Sequence, residues 1–86
     1  MGWEIVNETG VAPKIVCLKY TKRGVTYYLS YGVYWDSTNK IHYFNPYKPF
    51  SLSARGKRIN FSEEEFYNFL KTKNIPIPQL PYKPQN

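Results

Sequence analysis

The chain has 86 residues, enough for one domain whose core contributes only a few kcal/mol net once ordering entropy is subtracted. Its twelve Lys and Arg against six Asp and Glu give a net charge of +6, which favours an anionic partner, nucleic acid being the commonest. Three of the six acids sit together at Glu63, Glu64 and Glu65, so the remaining surface is more basic still. A single cysteine, Cys17 in the apolar run KIVCLKY, excludes an intrachain disulfide and reads as a small hydrophobe in a reducing cytoplasm. No segment approaches the roughly 20 apolar residues of a membrane span, and the first ten residues lack the pattern of a signal peptide.

Residues 3–6 form a short apolar opening, a strand or a packed arm, followed by a loop through Gly10 and Pro13. Residues 14–20 alternate well enough for a strand, and TKRG at 21–24 is a turn whose glycine can take positive φ. From 25 to 36 the alternation is clean. Val25, Tyr27, Leu29, Tyr31, Val33 and Trp35 share one face, which looks like core. Thr26, Tyr28, Ser30, Gly32, Tyr34 and Asp36 share the other, and a bulge at Gly32 would exchange the faces beyond it.

DSTNK at 36–40 reads as a turn and 41–44 as a third short strand. NPYKPFSLSARG then reads as a loop of about a dozen residues, a length that is usually functional or mobile. GKRINF closes a fourth strand and leads straight into a helix start. Ser62 followed by Glu65 is a capping box, three glutamates suit the helix dipole, and Phe66, Phe69 and Leu70 give one apolar stripe. The helix should end near Asn74, because Ile75-Pro76 disfavours continuation. The tail from 75 to 86 holds four of the seven prolines and reads as an extended linker or an arm that docks on a neighbour. The expected organisation is therefore a compact unit over 1–74 and a proline-rich tail over 75–86.

The functional signal lies in residues 19–36, where tyrosines alternate with Lys and Arg along strands. Tyr rings offer faces on which bases stack at about 1–3 kcal/mol each, and Lys and Arg neutralise phosphates. Tyr20, Tyr28 and Tyr34 are the candidate platforms. Lys19, Lys22, Arg23, Arg55, Lys57 and Arg58 cluster at two turns that a sheet could bring to one rim. Trp35 joins the set only if the strand bulges near Gly32. A solvated basic surface and ordinary strand preference for Tyr account for the same residues without any ligand.

Catalysis has no visible machinery. The lone His42 has no Cys, Asp or Glu at metal-ligand spacing, the glutamate cluster suits a helix start, and no Gly-rich phosphate loop is present. Neither an enzyme, a metal site nor a cofactor is expected.

The order of four strands and a capped helix, with KIVCLKYTKRGVTYYLSYGVYWD leading to RGKRINFSEEEFYNFLK, resembles the positive cofactor four family of transcriptional coactivators and its prokaryotic and phage relatives. The resemblance covers residues 15–71 and is carried most by Gly56, Lys57, Ile59, Phe61, Ser62, Glu64 and Phe66 at the strand-to-helix junction. It implies an α+β fold, a curved four-stranded antiparallel sheet followed by one C-terminal helix, a homodimer, and single-stranded DNA bound on the sheet. It assigns DNA contact to Tyr20, Lys22, Tyr34, Trp35 and Lys57. Arg58 where the family has Gly, Gly32 near an expected arginine, and the long segment 41–53 depart from the pattern. The expectation is a non-catalytic single-stranded nucleic-acid-binding module, with DNA favoured over RNA. The rival is a small phage-type interaction or inhibitor module that docks on a host protein through its sheet edge, the loop at 45–53 or the proline-rich tail.

Overall fold

The computed structural model describes residues 2–10, 13–44 and 47–80. They form six strands, β1 (Glu4–Thr9), β2 (Lys14–Lys22), β3 (Val25–Asp36), β4 (Ile41–Phe44), β5 (Phe50–Ala54) and β6 (Lys57–Phe61), and one helix, α1 (Glu63–Thr72). The strands make one antiparallel sheet in the order β1-β2-β3-β5-β6, with β4 also paired to β3. The expected class, an antiparallel sheet with a C-terminal helix, is therefore present, but with six strands in place of four.

Both added strands lie where the sequence obscures its own period. β1 extends the apolar opening at 3–6 through polar residues to Thr9, and all six of its residues are exposed. Pairing with β2, not burial, holds it. β5 lies inside the segment 45–56 expected to be a loop: Phe50, Leu52 and Ala54 alternate with Ser51 and Ser53, and Phe50 and Leu52 are buried. Prolines at 46 and 49 mask this alternation in the sequence.

β3 is the spine of the sheet. One of its edges pairs with β2 from Lys22↔Val25 to Lys14↔Val33 without a break, so Gly32 makes no bulge and the two faces keep their phase. The other edge is shared by β5, opposite residues 28–31, and β4, opposite residues 33–36.

The core occupies one face only. Val16 and Leu18 of β2, Leu29, Tyr31 and Val33 of β3, and Phe50 and Leu52 of β5 meet Phe66 and Leu70 of α1. Tyr31, at 2 % exposure, lies on the core side as its alternation requires. The Phe50 ring is the hub, edge-on to Tyr31 at 5.7 Å between centroids and stacked on Phe66 at 4.6 Å. Such aromatic pairs add about 0.5–1.5 kcal/mol each beyond their buried area.

Both ends of α1 are closed by local chemistry. The Glu65 amide donates to Ser62 Oγ at 3.2 Å and the Ser62 amide donates to Glu65 Oε1 at 2.9 Å, completing the capping box. At the other end Asn74 takes φ +54°, its amide donates to the Lys71 carbonyl, and the Ile75 amide donates to the Leu70 carbonyl at 2.9 Å. This is a Schellman stop, and its usual apolar contact is present because Ile75 and Leu70 are both buried.

The chain beyond the helix does not leave the domain. Ile75, Pro78 and Leu80 are buried, and Ile75 and Leu80 belong to the core cluster. The Trp3 indole N–H donates to the Pro76 carbonyl at 2.7 Å, tying the start of the chain to the tail. Residues 75–80 are thus part of the compact unit rather than a linker, and the rest of the expected tail, 81–86, lies outside the described residues.

Two outcomes follow. Leu80→Ala should cost about 2–5 kcal/mol in urea unfolding, the range for a large-to-small core change, whereas a free tail would give no change. The carboxyl of Glu65 is held below its ordinary value, first by the Ser62 amide and then by Lys48, whose Nζ is 3.7 Å away. A lowered folded-state value contributes stability that is present above the unfolded-state value, about 4.3, and is lost as pH falls through the folded one. Glu65→Gln keeps an acceptor for the Ser62 amide but does not titrate, so the stability gap between wild type and variant should shrink from neutral pH towards pH about 3. Thermal melts across that range check it; a constant gap would contradict the assignment.

Candidate nucleic-acid interface

α1 and the tail cover the face carrying Val16, Leu29 and Phe50, and no described element packs on the other face. There the register aligns Glu4, Lys19, Tyr28, Ser53 and Arg58 in one row across five strands. Tyr28 is 50 % exposed and stands at the centre of the row. Strands lie about 4.8 Å apart, so Lys19 and Arg58 bracket it across roughly 14 Å. The next row holds Cys17, Ser30, Ser51 and Asn60, short side chains that leave the Tyr28 ring clear.

Two turns supply the rim. Arg23 and Gly24 join β2 to β3, Arg55 and Gly56 join β5 to β6, and because Ser53 opposes Tyr28 both turns fall at the same end of the sheet. Each turn has positive φ at both central residues, +50° and +79° in the first, +51° and +77° in the second. This is the type I′ hairpin geometry, whose twist suits the flanking strands. Two Arg-Gly turns of one conformation thus lie at the same end of the sheet, but Lys22 and Lys57 beside them face the helix side.

Tyr34 shares the face of Tyr28 but lies six residues further along β3, about 20 Å away. Its ring stacks on Tyr43 of β4, centroids 5.4 Å apart and planes 21° from parallel, so one side of it is already occupied. Tyr43, 41 % exposed, was not among the sequence candidates, although folding 41–44 back on β3 across the turn at 36–40 pairs the two rings. That turn is fixed by Asp36, whose Oδ1 accepts from the Thr38 and Asn39 amides at 3.0 and 3.3 Å and whose Oδ2 accepts from the Asn39 side-chain amide at 2.8 Å. The Asn39 side-chain bond is the main reason the Asp36 carboxyl sits below its ordinary value.

Four candidates point the other way. Tyr20 opposes Tyr27 on the core side and tilts against Trp3, centroids 5.5 Å apart, so it is packing and not a platform on the open face. Lys22 is in phase with Tyr20, and its ammonium donates to the carbonyls of Lys73 at 2.7 Å and Asn74 at 3.0 Å. There it meets the negative end of the α1 dipole and serves the helix. Lys57 lies on the helix side of β6, opposite Ala54. Trp35 keeps the phase of Val33, since β3 does not bulge, and sits against His42 at 4.8 Å, 46 % exposed.

The open face therefore gathers Lys19, Tyr28, Arg58 and, remotely, Tyr34, with Arg23 and Arg55 at its rim. Among the described residues no three of His, Cys, Asp and Glu gather as a metal site would require, and no helix is long and apolar enough to cross a membrane. No protein-family model, curated protein or solved structure matches the chain. The resemblance to the coactivator family therefore rests on the sequence motifs alone.

The two lysines flanking Tyr20 should behave differently. Lys22→Met should lower stability by about 0.3–1 kcal/mol through the helix end, while Lys19→Met should stay within about 0.5 kcal/mol of wild type. Chemical denaturation of both variants checks the separation of roles.

Proposed function

We propose that the protein is a non-catalytic module that binds single-stranded nucleic acid, DNA in the first instance, on the open face of its sheet. The observation that supports this best is the row Lys19–Tyr28–Ser53–Arg58, an exposed ring bracketed by two cations on a face that no described element covers. A base stacks on Tyr28 while adjacent phosphates meet Lys19 and Arg58, and Arg23 and Arg55 extend the positive track round the rim. Stacking on a ring tolerates any base, and phosphate contacts carry no sequence information, so binding is expected to show little sequence preference. A duplex hides its base faces, which favours single strands. Two copies working as a homodimer would double the track on a chain too small to hold a long strand alone.

Fluorescence polarisation with labelled oligothymidylate and a duplex of equal length tests the reading. Single strands should bind more tightly than duplex, and Tyr28→Ala should weaken binding by about 1–3 kcal/mol, roughly 5- to 150-fold. Arg58→Ser should reduce the slope of log affinity against log salt by about 0.7, the value for one phosphate on a single strand. Tyr20→Phe should change nothing. Absence of binding, or binding indifferent to Tyr28→Ala, overturns the proposal; sedimentation at the binding concentration decides the homodimer separately.

A further inference from the structure

The face opposite the proposed nucleic-acid track carries a second feature. Where β6 passes the end of α1 there is a cavity of about 350 Å³ whose floor is hydrocarbon from Leu52, Ile59, Phe61 and Phe69. Its mouth is cationic: Arg55, Lys57 and Lys73 line it, and no acidic residue does. Among the described residues none of these three cations is in an ion pair, and Lys73 Nζ rests 6.0 Å from the Phe69 ring centre. An apolar floor with a few convergent charges is the usual make-up of a binding site.

β6 itself is anomalous for a strand bordering a core. It is the last strand of the sheet and pairs only with β5, so among the described residues no strand pairs with its other edge. Ile59 points to the same side as the buried Leu52, yet is 52 % exposed. An open edge beside an exposed β-branched residue is a template for an added strand, and such edges recognise extended peptides by pairing backbone and seating alternate side chains.

Charge selects the occupant. A second copy paired through β6, whose sequence is KRINF, would bring further cations and no carboxylate from that strand to the groove. A polyphosphate would satisfy the mouth but leave the hydrocarbon floor unfilled. A peptide that carries carboxylates and apolar side chains on one and the same face, at every second residue, satisfies both, because Lys57, Ile59 and Phe61 share one face of β6.

We propose that the free edge of β6 and the cavity beside it bind an extended acidic peptide of a partner protein. The peptide adds as a strand to β6, an apolar side chain covers Ile59 and Phe61, and its carboxylates meet Arg55, Lys57 and Lys73. The site shares Arg55 with the rim but uses none of Lys19, Tyr28 and Arg58, so it can hold or fail independently of the nucleic-acid reading.

The test uses the full chain, isotopically labelled, titrated with a short acetylated peptide that alternates threonine with, in order, glutamate, leucine, phenylalanine, leucine and glutamate, so that the carboxylates and the apolar side chains share one face. A peptide of identical composition with its apolar residues gathered at one end is the control. The alternating peptide should shift the amides of residues 57–61, 69 and 73, and the control should bind at least tenfold more weakly. Ile59→Glu should weaken the alternating peptide by tenfold or more, while Tyr28→Ala should leave it unchanged. Because Ile59 is half-exposed the fold should survive; Ile59→Thr, which keeps the branched β-carbon and removes hydrocarbon, is the second variant and should weaken binding in the same direction. Equal binding of the two peptides, indifference to both Ile59 variants, or displacement of the peptide by oligothymidylate with shifts at the same amides would overturn the proposal, the last assigning the groove to nucleic acid.

Discussion

Nine directly opposed pairs between β2 and β3, unbroken from Lys22↔Val25 to Lys14↔Val33, decide which side chains this protein hides and which it shows. Side chains alternate with a period of two, so a slip of one residue would carry Leu29 and Tyr31 to solvent and Tyr28 into the core. Gly32 helps to hold the register straight. It opposes Ile15, and a β-carbon there would come within 3.3 Å of Ile15 Cδ1, so the missing side chain lets Ile15 lie across the spine without pushing the strands apart. The open face depends on this phase, because Lys19, Tyr28, Ser53 and Arg58 form a row only while three successive pairings keep step.

A sheet buried on one side still needs enough apolar cover, and ten helical residues supply only part of it. The remainder comes from the chain after the helix. The Schellman stop turns the backbone so that Ile75 packs beside Leu70, and Leu80 joins the same cluster. Lys22 closes the arrangement from the sheet side by donating to the last carbonyls of the turn. One lysine therefore links the β2 end to the helix terminus, and the charge that looked like part of a binding rim instead offsets the helix dipole.

The sequence discloses these features unevenly, for physical reasons. β3 is long and two-faced, so its alternation is readable, and the start of α1 is readable because a capping box is chemistry within four consecutive residues. β5 is shorter and flanked by a proline, and its three-residue alternation of Phe50, Leu52 and Ala54 is outweighed by turn-forming neighbours. Tyr20 and Lys22 are misplaced by a sequence reading that weighs residue type alone, since both are in phase with the buried Val16 and Leu18 of the same strand. Tyr28, Lys19 and Arg58 are legible as residue types, but their alignment is not, because it depends on the pairing of β3 with β5 rather than on any spacing along the chain. The tail is the sharpest case: proline content suggests a linker, yet the apolar Ile75 and Leu80, each next to a proline, are what the core uses.

The excess of positive charge is therefore not one surface. Lys14 pairs with Glu8 at 3.9 Å, Lys48 with Glu65 at 3.7 Å, and Lys22 with the helix end. What is left concentrates at the end of the sheet where both Arg-Gly turns lie, and from that rim it divides. On one side the cations border hydroxyls and a bare tyrosine ring; on the other they border leucine, isoleucine and phenylalanine. Coulombic attraction at the rim is long-ranged and reduced by salt on both sides alike, so it gathers anions without telling them apart. Discrimination must come from what lies between the charges. A ring among small polar groups rewards a stacked base, and a hydrocarbon floor rewards an apolar side chain, so under the two proposals faces that share a rim would select different anionic partners.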